Sequence, residues 1–193
     1  MVINLRRFNT YLLAAAFLVT LAGCGTTSSK AKKQIATVRV HIEAGRDTGE
    51  RSQPVLISRA AQIKLNIDIN PFLTELYVVK ASVADAMGGF TLSIQFDSSG
   101  SHLLEQFTAT NPGKHLAIYT EWGEKENGRV RWLAAPLINR RIPDGILTFT
   151  PDATRAEAEE IALGLNNTAI NSGNQEKSKD QPEDKPKEKT KSE

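Results

Sequence analysis

The stretch Gly89-Phe90-Thr91-Leu92-Ser93-Ile94-Gln95-Phe96 runs straight into Asp97-Ser98-Ser99-Gly100-Ser101-His102-Leu103-Leu104-Glu105-Gln106-Phe107, and the apolar period changes at Asp97. Phe90, Leu92, Ile94 and Phe96 recur every second residue, as along one face of a β-strand. Leu103, Leu104 and Phe107 recur at the spacing of one helical face. Between them, Asp97 to Ser101 offers several side chains able to cap a helix. The pattern therefore predicts a strand that hands over to a helix, with Asn111-Pro112-Gly113 closing the latter.

Upstream, Leu76 to Asp85 is apolar and β-branched enough for a strand, and Met87-Gly88-Gly89 turns it into the first stretch as a hairpin. Val38, Val40 and Ile42 alternate in a further strand. Val55 to Ser58 and Ile63 to Ile69 read as two more, and Asn70-Pro71 breaks the pattern. Ala44 to Gln53 is rich in glycine and charge and reads as a loop. Downstream, Leu116 to Tyr119 and Val130, Trp132 and Ala134 form two strands around a charged loop, Gly123 to Gly128, that contains the turn dipeptide Asn127-Gly128. Pro143-Asp144-Gly145 turns into a strand from Ile146 to Thr150. A final helix is signalled by Thr154 and Glu157 at capping-box spacing and by the stripe Ala158, Ile161, Ala162 and Leu165, with Asn166-Asn167 as its expected end. The sum is an α+β fold, a mainly antiparallel sheet with two helices packed on one face.

The ends of the chain differ in kind. Arg6 and Arg7 precede an apolar run from Tyr11 to about Leu21, shorter than the ~18 residues a membrane-spanning helix needs. Leu21-Ala22-Gly23-Cys24 follows, and the whole resembles a bacterial lipoprotein signal peptide. On that resemblance residues 1–23 are removed and Cys24, the sole cysteine, is lipidated, tying the chain to a membrane. An ordinary secretory signal and an uncleaved anchor are the alternatives. Residues 24–34 are small, polar and lysine-bearing, as in a flexible tether. Residues 171–193 hold no large apolar side chain and are expected to be a disordered charged tail. Residues 35–170 remain for one domain, about 135 residues and ample for a single core.

The chain of 193 residues carries 24 Lys plus Arg against 22 Asp plus Glu, and without residues 1–23 the two counts are equal. That balance gives no support for nucleic-acid binding. With one cysteine, no internal disulfide can form. His41, His102 and His115 lack the spacing of metal ligands, and no glycine-rich loop precedes a helix, so no metal or cofactor is expected. Ser101 and His102 near Asp97 do not make a triad by adjacency, so a small hydrolase is the least favoured reading and no catalytic residue is assigned. Trp122, Arg129, Arg131, Arg140 and Arg141 are the candidate partner-binding residues, because aromatics and arginines at one edge anchor interfaces. Strand alternation offers another account, with Trp132 in the core and the arginines solubilising the opposite face.

From Phe90 to about Asn167 the pieces occur in a telling order. They are Phe96 before the Leu103 to Asn111 helix, Gly113-Lys114-His115-Leu116-Ala117-Ile118, and Arg129-Val130-Arg131-Trp132-Leu133-Ala134-Ala135-Pro136-Leu137-Ile138. Thr148-Phe149-Thr150 then leads into Ala156-Glu157-Ala158-Glu159-Glu160-Ile161-Ala162-Leu163-Gly164-Leu165. This series resembles the head part of the first periplasmic domain of SecD, the protein-export membrane subunit. Two family features differ: the glycine-rich segment is reduced to Arg140-Arg141-Ile142-Pro143-Asp144-Gly145, and Asn167-Thr168-Ala169-Ile170 replaces the run that usually follows the last helix. The resemblance implies a non-catalytic module in the cell envelope, facing the periplasm, whose partners are exported polypeptides or translocon and envelope proteins. Gly25 after Cys24, in place of the aspartate that often retains lipoproteins on the inner membrane, favours the outer membrane. A structural envelope lipoprotein unrelated to secretion is the competing reading.

Overall fold

The computed structural model describes residues 34–45, 49–58, 62–123 and 128–173. The signal, Cys24, the tether up to Lys33, residues 174–193 of the tail and the tip of the charged hairpin lie outside them. The elements follow in chain order as β1 (Ile35–Ile42), β2 (Ser52–Ile57), β3 (Ile63–Asp68), β4 (Leu73–Thr74), β5 (Val78–Ala86) and β6 (Gly89–Phe96). Next come α1 (Ser98–Thr110), β7 (Leu116–Gly123), β8 (Arg129–Ala134), β9 (Ile146–Phe149) and α2 (Arg155–Asn171). The strands form three antiparallel sheets, ordered β4-β1-β7-β8, β2-β3 and β5-β6-β9. The fold class is α+β.

The period change at Asp97 is where β6 ends. Its carboxylate accepts a hydrogen bond of 2.8 Å from the Gly100 amide, which satisfies one of the free donors of the first turn of α1. Gly100 lets this turn approach the sheet: a Cβ there would stand 2.7 Å from Tyr77 Cβ and 2.9 Å from Phe96 Cβ. Alternation does the rest. Leu92, Ile94 and Phe96 of β6 join Val38 and Val40 of β1, Leu116, Ile118 and Trp122 of β7, Leu104 of α1 and Ile161 and Leu165 of α2 in the main core. A smaller cluster of Ile57, Leu65, Ile67 and Ala117 holds the β2-β3 ribbon to the other face of the first sheet, with Val55, Trp132 and Ala135 around it.

α2 starts as its sequence demands, with the Thr154 and Glu157 capping box complete in both directions. It does not stop at Asn166-Asn167, where the sequence placed its end, but runs on to Asn171. The two asparagines serve lateral contacts instead of terminating the helix. The Asn166 amide donates to the Ala81 carbonyl (2.9 Å) and accepts from the Ala81 amide (2.8 Å), occupying the outer edge of β5 as a neighbouring strand would. Asn167 Nδ2 donates to the Gln34 carbonyl (2.8 Å) and Thr168 Oγ1 to the Ala36 carbonyl (2.9 Å). Gly164 permits the closest approach: a Cβ there would lie 2.8 Å from Ala36 Cβ, from Ala36 N and from the Ile35 carbonyl carbon.

Candidate binding cleft

The register of β7 and β8 pairs Trp122 with Arg129 and Thr120 with Arg131, so these side chains share the α2-facing side while Val130 and Trp132 face away. Trp122 is not at an exposed rim. It is 1% exposed and belongs to the main core, because α2 covers this end of the sheet. The guanidinium carbons of Arg129 and Arg131 lie 5.0 and 5.2 Å from its ring centroid, a cation–π geometry. Arg131 makes a fork to Glu157, Nη1 to Oε2 at 3.1 Å and Nη2 to Oε1 at 3.0 Å, and also donates to the Asp152 carbonyl at 3.1 Å. Arg129 pairs with Glu160, and its other nitrogen stands 3.8 Å from Glu157. The hydrogen bonds from Arg131 and then from the Thr154 amide hold the Glu157 carboxyl down at about 2. Arg129 and Arg131 thus fasten α2 across Trp122.

Alternation sets Arg129 and Arg131 opposite Trp132, where they lie; on the face they occupy both engage α2, with Arg131 largely covered and Arg129 still open to solvent. Trp132 sits in the smaller cluster, edge-on to His41 at 5.5 Å and to Tyr119 at 5.2 Å. Arg140 and Arg141 belong elsewhere. Arg141 is 3.3 Å from Glu105 of α1, and Arg140 is exposed. The five sequence candidates therefore split into a trio engaged at α2, within which Arg129 is still 45% exposed, and an exposed pair lying apart.

That exposed pair lies on a cleft. The chain after β8 continues alongside β7: Leu116 N donates to the Pro136 carbonyl (2.9 Å) and Ile138 N to the Lys114 carbonyl (2.8 Å). With Pro136 and Ile138 turned to β7, the main chain of Leu137 points the other way. Facing it is β9, the last strand of its sheet. The Phe96 amide donates to Gly145 (3.0 Å), so by alternation Leu147 and Phe149 bond to β6 while the main-chain groups of Thr148 point outward. Between these banks is a depression of about 590 Å³ lined by Leu116, residues 136–144 and Ile146 to Thr148. A second, of about 430 Å³, continues it along residues 133–136 and 149–152 to Ile57 and Ile63. Leu137 and Ile146 are 46% and 40% exposed on its rim. Pro143-Asp144-Gly145 reads in the sequence as a turn, and nothing in its spacing signals the cleft it borders.

The remaining polar residues have local tasks. Asp97 caps α1, Ser101 Oγ reaches the Phe96 carbonyl at 3.4 Å, and His102 is exposed, so the three do not form a catalytic set. His41 is buried with Nδ1 2.8 Å from the Asp68 carbonyl oxygen, and burial lowers its pKa. His115 N donates to Glu43 Oε2 at 2.9 Å, and its Nδ1 lies 2.8 Å from the same oxygen. Among the described residues no three His, Cys, Asp or Glu side chains gather as a metal site needs.

These features define a small two-helix α+β module with an open cleft between two strand edges. The chain matches the family described as SecDF, P1 head subdomain, over residues 53–171, more than half its length, and it belongs to that family. The match begins well upstream of Phe90 and takes in the β2-β3 ribbon. Among solved structures it is similar to a membrane component SecDF that enhances protein export, at 22% identity, 76% of this chain, 71% of that chain and a TM-score of 0.49. It is also similar to SecDF in a super-membrane-facing form, at 21% identity, 72% of this chain, 20% of that chain and a TM-score of 0.49. A third is the translocon-associated SecDF of Thermus thermophilus, at 16% identity, 85% of this chain, 34% of that chain and a TM-score of 0.38. No curated protein matches the chain. Among the described residues no helix is long and apolar enough to cross a membrane.

Proposed function

We propose that the chain is a lipid-anchored envelope protein, held through Cys24 and facing the periplasm, whose head module binds exported polypeptides or translocon components without catalysis. The observation that carries this reading is membership of the SecDF P1 head family across residues 53–171. The cleft supports it. An extended chain offers main-chain donors and acceptors, and Leu137 and Thr148 turn theirs toward it from opposite banks. Apolar Leu137 and Ile146 on the rim suit unfolded segments, which expose apolar side chains. Nothing in such recognition requires a nucleophile, metal or cofactor. Gly25 beside Cys24 favours the outer over the inner membrane as the place of anchorage.

Photocrosslinkers placed at Leu137 and Ile146 in intact cells test the binding role. Adducts with nascent exported chains or translocon subunits are expected. Adducts confined to a stable envelope assembly, unchanged when secretion is blocked, would replace this reading with a structural one. Thr148→Pro removes an outward amide without breaking the β6 pairing, so it should lower the adduct yield and leave folding intact.

A further inference from the structure

We propose that the C-terminal half of α2 is the face that rests on the lipid headgroups, with the cleft held at the opposite pole of the domain. The inference rests on lipidation at Cys24 and goes beyond it by fixing an orientation. Gln34, where the described domain begins, is tied to α2 by Asn167, and Ala36 is tied by Thr168 and packed against Gly164. The domain therefore leaves its tether at one defined point. Ten residue steps lead from Cys24 to Gln34; such a chain spans at most about 35 Å fully extended and about 18 Å on average when flexible.

The opposite pole lies further off than that average. Ile35 pairs with Gly123 at one end of β1, and Ile42 with Leu116 at the other. Seven residue steps of strand cover about 23 Å, and Leu116 lines the cleft. The surface beside the tether point also has the right chemistry for a bilayer. From Ile161 to Gln175 the chain carries no charged residue, so nothing there repels anionic headgroups. Leu163 and Ile170, two helical turns apart on one face, are 38% and 57% exposed. Apolar side chains on an uncharged helix face suit the boundary between headgroups and acyl chains. Lys30, Lys32 and Lys33 in the tether add attraction to anionic lipid.

The test uses the full-length lipidated protein in phospholipid vesicles. Lipidation consumes the sole thiol, so a cysteine introduced by Ile170→Cys or by Asn139→Cys becomes the one site for a fluorescent maleimide. Vesicles carrying nitroxide-labelled headgroups should quench the probe at position 170 roughly threefold more than the probe at position 139 in the cleft. Equal quenching, or stronger quenching at position 139, in protein that floats with the vesicles overturns the orientation and leaves the anchor standing. An unsubstituted chain that takes the maleimide and fails to float overturns both.

Discussion

The two ends of the β4-β1-β7-β8 sheet use the same residue types to opposite ends. Near Gly123, Arg129 and Arg131 are joined to Glu157 and Glu160 over a buried tryptophan, and α2 closes the face. Near Leu116, Arg140 is exposed, Arg141 reaches one glutamate, and two strand edges face a cleft. The difference is the helix above. Arg131, largely covered, needs partners for its charge and has them, whereas Arg140 keeps its water. Residue type therefore says little about availability; what packs above the residue decides it.

Breaking the closed end should have the largest effect. Gly164→Val puts a side chain where a Cβ already meets Ala36 and the Ile35 backbone at 2.8 Å. A loss of about 3 kcal/mol, or failure to fold, is expected in denaturant titration. Glu157→Gln should cost about 1–2 kcal/mol at neutral pH by weakening the Arg131 fork. It should also change the acid limb. The Glu157 carboxyl sits near 2 in the folded chain against an ordinary 4.5, so its contribution is complete above pH 4.5 and vanishes as pH falls toward 2. Unfolding free energies measured across that window should fall more steeply for the wild type than for the variant. Parallel curves would show that the fork carries no net stabilisation.

The seam under the β2-β3 ribbon should respond more weakly and at higher pH. Burial lowers the His41 pKa, so the unfolded chain takes up a proton near 6.5 while the folded one resists it. Stability from this residue is present above pH 6.5 and declines as pH falls below it. His41→Gln should flatten the measured curve just below that point. At the open end, Arg140→Glu combined with Arg141→Glu should shift stability by less than about 0.5 kcal/mol while altering crosslinking from the cleft. A large stability loss there would erase the contrast between the two ends.

The elements were legible where the period was local. The β6–α1 junction, the β5-β6 hairpin and the capping box of α2 follow from side-chain spacing and from hydrogen bonds a few residues apart. What escaped was set at long range. Asn166 and Asn167 look like a helix end because their amides compete with the backbone locally, yet here Ala81 and Gln34, far away in sequence, engage them. Trp122 looked accessible because it borders a charged hairpin, and only the path of α2 buries it. The cleft was invisible for the same reason: its banks, Leu137 and Thr148, meet through tertiary placement, and no spacing encodes that.

Asn166 has one further consequence. The three-stranded sheet ends in β5 on one side and β9 on the other, so stacking one copy's β5 on the next copy's β9 would be a head-to-tail union, open-ended unless its rotation closes a ring. Left open, such unions grow into filaments. By seating a carboxamide on Ala81, the helix turns the first of these borders inward and leaves β9 as that sheet's remaining free border, so a chain of copies joined edge to edge lacks one of its two mating edges.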